Sequence, residues 1–273
     1  MSATDLPLVG GKAPVLRRPW DAPRIGRWIG GLIITAIVLG QAYHFVGVDP
    51  GEMIGGFAGI FNILRQGMPP DLTVLGDGLQ EALVSIDIAI LGTVAATLVS
   101  VPLAICAAEN VTPAHWAYVI SRGIIGVTRA IPDIVFALLF VAAVGLGPFP
   151  GCLGLGVHSV GILGRLYAEA IEDMDMGPVQ ALRSAGASPV QIASQAVIPG
   201  VIPTLIGVTL YRLDTNVRST LALGFVGGGG LGFLIFESLE LFMFRQLATY
   251  LIIMLVMVMM VEVLAVYLRR WIR

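Results

Sequence analysis

The sequence predicts an all-α membrane protein of about six transmembrane helices with both termini on the cytoplasmic side. Three observations carry that expectation. Of 273 residues, 56% are hydrophobic and 12% charged, against about 25% charged in soluble domains, so too little polar surface exists to face water. The apolar residues come in blocks, most of them near the ~20 residues that a bilayer demands. The 16 basic residues, all arginine except Lys12, are placed asymmetrically between those blocks. Net charge, −2, carries no meaning as a total, because in a membrane protein only the position of charge along the chain counts. Cys106 and Cys152 lie in apolar stretches without ligand or redox spacing and read as free thiols.

Residues 1–27 carry Lys12, Arg17, Arg18, Arg24 and Arg27 among prolines and small residues, the composition of a disordered basic arm. The span 28–46 is too long for a signal h-region and lacks a small-residue cleavage pattern, so it reads as the first membrane helix. The stretch 48–77, with Pro69, Pro70 and several acidic residues, reads as a surface-lying helix and a loop that close the segment 28–77. The main domain then runs from 78 to 273. Its spans are expected at 78–107, 133–147, 152–168, 199–226 and 247–268, with the third and fourth spans of the chain short. The amphipathic stretch 117–130 reads as an interfacial elbow entering the membrane at Pro132.

Orientation follows from the basic residues. Arg122, Arg129, Arg165, Arg183, Arg269, Arg270 and Arg273 join the arm's five on one side, making twelve of the 16, and that side is the cytoplasm by the positive-inside rule. Trp20, Trp28, Trp116 and Trp271 fall near the same face, as an interfacial belt would. Gly227, Gly228, Gly229 and Gly230 at the outer end of the fifth span suit either a tight reversal or a hinge at an outer gate. There is no internal repeat.

The loop 177–199 is the most structured polar segment. Pro178 suits a first helical turn, and Gly186 suits a left-handed helix terminus. Ser188, Pro189 and Gln191 spell a second start with a capping box, and Pro199 marks the return to the membrane. Such capping presents something rigid. Either another protein docks here or a helix pair lies on lipid. The P-loop pattern G-x-x-x-x-G-K-S/T is absent, so a nucleotide-driven motor would be a separate subunit.

Gln180-Ala181-Leu182, Gly186 and Ala196-Val197-Ile198-Pro199 resemble the coupling motif of ABC importer permeases, a Glu-Ala-Ala with glycine at the seventh position and a hydrophobic-proline ending. Gln180 stands where that family usually has Glu. Arg129-Ala-Ile-Pro-Asp133 with the apolar run to Phe140, Ala181-Leu-Arg183-Ser-Ala-Gly186, Tyr211-Arg212-Leu-Asp214-Thr-Asn216-Val-Arg218 and Val226 to Gly232 are similar to phosphonate-type importer permeases. The resemblance covers about residue 78 to the C-terminus. It implies a type I, MetI-like bundle in the bacterial inner membrane and a homodimer of this chain. It further implies two ABC ATPase subunits that hold the ATP and Mg, and an extracytoplasmic binding protein delivering a phosphonate, phosphate or phosphite. The chain itself would bind no cofactor or metal. The ATPase-coupling residues would be Gln180, Ala181, Arg183, Gly186, Ser188 and Pro199.

Arg212, Asp214 and Arg218 lie in the fifth span, where an ionised side chain costs about 2.5–3.5 kcal/mol, so each must face protein or water. Asp214 and Arg218, four apart, share a helix face. Arg212 points elsewhere, with Asn216 and Ser219 on its side. These residues either line a translocation path, where a guanidinium suits an oxyanion, or form a buried network in which Asp87 and Glu262 are available acidic partners. His44, His115 and His158 are scattered and form no metal-ligand cluster. Asn110-Val-Thr112 is a chance glycosylation match on the cytoplasmic side. The ten methionines read as packing or lipid-facing. A membrane-embedded enzyme acting on a phosphorylated substrate, a passive channel, and a permease for another small solute remain as alternatives. The enzyme lacks a clustered nucleophile, base or metal group, and the channel has no use for a docking loop.

Overall fold

The computed structural model describes residues 22–47, 49–112 and 114–272. The basic arm lies almost wholly outside them. The chain divides into two compact units, one ending at Ile60 and the other running from Phe61 to Arg273.

In the first unit, α1 (Ala22–Val46) is apolar around its circumference, with Leu32, Ile33, Ile37 and Leu39 all exposed. A helix without a polar face suits lipid rather than water. The following α2 (Pro50–Gln66) fills most of the stretch expected to hold a surface-lying helix. Asp49 caps it by accepting from the Gly51 N–H at 2.7 Å.

The second unit is a helical bundle. Asp71 accepts from the Thr73 N–H and caps a 3-10 turn, Leu72–Val74, that leads into α3 (Leu75–Ala107). Next come α4 (His115–Ala130) and α5 (Asp133–Val144), which meet at 87°. Pro132 has no N–H to continue the ladder and forces Ile131 into extended backbone. At only 12 residues, α5 is about 18 Å long and cannot cross a ~30 Å core alone. The third expected span is therefore a bent pair, and α4 does not lengthen it in a straight line.

The centre of the bundle is α6 (Pro148–Glu172), which packs on α3, α4, α5 and α9. Small residues let backbones approach. A Cβ on Gly154 would come within 2.6 Å of the Ala137 nitrogen, and one on Gly161 within 2.5 Å of the Arg129 nitrogen. The charges of α6 lie toward its C-terminal end and are paired, Arg165 with Glu169 and Glu172 with Arg122. Among the described residues, four helices are long and apolar enough to cross a membrane by themselves, and the bent α4–α5 pair makes up to five. With α6, the six expected spans correspond to α1, α3, α5, α6, α9 and α11.

Beyond α6, the chain forms α7 (Gly177–Ser184), α8 (Pro189–Ile192), a π turn (Ala193–Val197) and α9 (Ile198–Gly224). Here Pro199 does not separate loop from span. The helix runs from Pro189 to Gly224 without interruption. The π turn takes up the strain: the Ile198 N–H reaches back to the Ala193 carbonyl, one residue beyond the α register, next to a proline that cannot donate. After α9 come the short α10 (Leu231–Glu240), which no sequence expectation foresaw, and α11 (Phe244–Ile272). Apolar packing divides into one cluster around Leu163, Tyr167, Val179 and Val197 and another around Leu155, Val217, Leu231 and Met257.

Candidate functional site

Two polar regions stand out, and the first is the loop at 177–199. Asp175 accepts from the Gly177 N–H at 3.0 Å and starts α7, with Pro178 in its first turn. The end of α7 is a Schellman motif. Gly186 N–H donates to Arg183 and Ala187 N–H to Leu182, both at 3.0 Å, with Gly186 at φ +80°. A residue with a Cβ resists that conformation. The Ser188 capping box forms in full, the Ser188 N–H donating to Gln191 Oε1 at 2.8 Å and the Gln191 N–H to Ser188 Oγ at 3.4 Å. Buried Val179 and half-buried Leu182 anchor α7 to the bundle. Gln180, Ala181, Gly186, Ser188, Pro189 and Val190 are exposed. This exposed surface is held by the Schellman terminus and the capping box and is uncharged at Gln180.

Arg183 is exposed yet turned inward, its Nη2 donating to the Asn110 carbonyl at 3.2 Å. The Asn110 amide in turn donates to the Ile171 carbonyl at 2.9 Å, and Thr112 Oγ1 donates to the Ile105 and Cys106 carbonyls. Both side chains of the apparent sequon are thus spent on helix C-termini, satisfying carbonyls that would otherwise lack donors.

The second region lies in α9, and the structure separates its four polar residues into two groups. Arg218 Nη2 meets Asp214 Oδ2 at 2.6 Å, with Glu262 of α11 at 4.0 Å. Asp214 is buried, and nearly half of the Arg218 side chain is exposed. Arg212 and Asn216 belong to a different set. Arg212 Nε donates to Ser159 Oγ at 3.0 Å, and Asn216 Nδ2 donates to Thr93 Oγ1 at 2.8 Å and Ser159 Oγ at 3.1 Å. This buried cluster ties α9 to α6 and α3. Ser159 and Thr93 had no signal in the sequence, because their partners lie 57 and 123 positions away. Asp87 stands on the exposed face of α3, away from this cluster and without an ion partner among the described residues.

The four glycines form a packed reversal, not a free hinge. Gly227, Gly229 and Gly230 hold φ of +86°, +74° and +74°. Gly147 N–H donates to the Gly227 carbonyl at 2.9 Å, and Leu231 N–H to Ser85 Oγ at 2.9 Å. A Cβ on Gly230 would sit 2.4 Å from that hydroxyl.

A family model described as "Binding-protein-dependent transport system inner membrane component" matches residues 100–273. The chain belongs to this family. It is a transport subunit rather than an enzyme, a multi-pass membrane component that works with a substrate-binding protein and a separate ATPase. Among its relatives, the phosphite transport system permease protein PtxC of Stutzerimonas stutzeri is 35% identical over 90% of both chains. The phosphate-import permease protein PhnE of Mycolicibacterium smegmatis is 39% identical over 86% of this chain and 44% of its own length. Among solved structures, an inward-facing MetNI methionine ABC transporter chain superposes with a TM-score of 0.63 at 21% identity, covering 74% of this chain and 97% of that one. The fold of this chain is therefore that of a MetI-like importer permease.

Proposed function

We propose that this binding-protein-dependent permease imports a small phosphorus oxyanion, of the phosphonate, phosphate or phosphite class, across a bacterial inner membrane. The observation that carries the reading is the full-length similarity to PtxC, supported by PhnE, whose names give phosphite and phosphate as cargo. ATP and Mg are held by the ATPase, which docks on α7 and α8. Gln180 offers that ATPase a neutral amide where a glutamate would offer an ion pair.

Two copies of the chain enclose the path, with both termini cytoplasmic. Supporting the paired arrangement, Asp87 places a carboxylate within the long span of α3 on an exposed face, without an ion partner among the described residues. In lipid that costs about 2.5–3.5 kcal/mol, so a protein or water environment is expected there. Arg218 is the path-lining candidate because its guanidinium is half-exposed while Asp214 holds it in place. Arg212, enclosed between α9 and α6, serves the bundle. A half-neutralised arginine suits a contact weak enough to release its anion.

The test is reconstitution of the permease, its ATPase and its binding protein in proteoliposomes, with uptake of labelled phosphate, phosphite and methylphosphonate measured against a neutral amino acid. ATP-dependent uptake of an oxyanion supports the proposal. Uptake of the amino acid alone overturns the cargo assignment and leaves the permease family membership standing.

A further inference from the structure

Where α3, α4, α6 and α7 converge, one carboxylate holds several elements. Glu172 is the last residue of α6, and only Asp173 to Met176 separate it from α7. Its Oε1 accepts from Arg122 Nη2 at 2.5 Å and from the Glu109 backbone N–H at 3.0 Å. The same arginine donates through Nε to the Ala107 carbonyl at 2.9 Å, closing the end of α3, and stands over the Tyr118 ring at 5.3 Å. From the other side, Arg183 of α7 holds the Asn110 carbonyl, and Asn110 holds the end of α6. A continuous polar chain therefore runs from α7 through the 109–110 turn and Glu172 to Arg122.

Arg122 sits on α4, a helix with only Ser121 and Ile125 buried. Beside the Arg122 bond, α4 also packs on α6 at Ile125 against Gly164 and at the close backbone approach to Gly161. Its far end is the 87° elbow into α5. Both side chains of the pair are about one-third exposed or less, at 35% and 28%, so water screens them less than a fully exposed pair. A guanidinium engaged at two nitrogens resists rotation as well as separation.

We infer that Arg122 and Glu172 form the transmission node by which displacement of α7 reaches the α4–α5 elbow. They are positioning residues, and the inference rests on the proposed docking role of α7. A pull on α7 moves the 109–110 turn and Glu172, and Arg122 carries that movement into α4, which as a rod of about 24 Å swings its far end at Pro132. The Arg165–Glu169 pair within α6 is a built-in control. At 2.6 Å it is as short, but both partners lie on α6 four residues apart, so it transmits nothing between elements.

Hydrogen exchange on the assembled complex, ATP-free and ATP-bound, reads α7 and the 128–135 elbow separately. In the wild type both segments change between the two states. In R122Q and E172Q the α7 change persists while the elbow change shrinks about threefold or more, and R165Q leaves both as in the wild type. E172D, which withdraws the carboxylate by one methylene, carries the same expectation should a larger change prevent assembly. An elbow response equal to wild type in R122Q and E172Q, or one weakened as much by R165Q, overturns the node and leaves the docking role intact. An α7 segment indifferent to ATP in the wild type overturns the docking role, and the node with it.

Discussion

The loop at 177–199 and the α9 segment at 212–218 are both polar interruptions of an apolar chain, but they are held together in opposite ways. In the loop the defining bonds are local. The Ser188–Gln191 box joins residues three positions apart, and the Gly186 terminus closes on Arg183 and Leu182. In α9 the defining bonds reach Ser159 and Thr93 on other helices. A loop built on local bonds stays rigid as it moves against a partner, whereas a segment built on distant bonds fixes helices to each other. The first arrangement suits transmission of force and the second suits resistance to it.

That contrast can be broken at five residues. The largest effect is expected from Asn216→Ala, which removes the buried hydrogen bonds that join α9 to Thr93 and Ser159. It should cost about 1–3 kcal/mol, read as a lower unfolding midpoint in detergent, and a wild-type midpoint would show that the cluster does not brace the bundle. Gly186→Val forces a branched residue into left-handed backbone at about 1–2 kcal/mol. It should raise ATP hydrolysed per solute imported while the bundle's midpoint holds, and Arg183→Glu should act in the same direction by repelling the Asn110 carbonyl. Normal transport in both variants would remove the loop as the coupling element. Ser188→Ala removes a helix cap worth about 1 kcal/mol and should weaken ATPase co-purification without changing the midpoint. Smallest in stability is Arg218→Gln. It should lower uptake and leave both the midpoint and ATPase docking unchanged, and undiminished uptake would return Arg218 to a structural role.

The same distinction explains what could be read in advance. Caps, a proline in a first turn and a glycine at a helix end act on neighbours within a few positions, so Pro178, Gly186, Ser188 and Gln191 were legible one by one. The Asp214–Arg218 pair was legible for the same reason, four apart on one helix. The 87° elbow was half legible: Pro132 announced a break, but its angle depends on α4 and α5 both packing against α6. Nothing in the run Gly227–Gly230 foretold Ser85 as the group that pins it, or α10 beyond it, because that contact joins residues 146 positions apart. The π turn before Pro199 was likewise invisible, since it reconciles a proline with a helix that tertiary packing keeps continuous.

The sequence by itself determined that this chain lives in a bilayer, where its long apolar spans fall, and that 177–199 carries two capped helix starts. Each of these follows from hydrophobic block length or from bonds between near neighbours. Only the tertiary structure decided that Arg212 braces the bundle while Arg218 faces outward, that the glycines form a packed reversal, and that Glu172 and Arg122 tie α4 to the ends of α3 and α6. Those outcomes depend on which distant side chains share a small, water-poor space, and hydrogen bonds made there have partners that spacing along the chain does not encode.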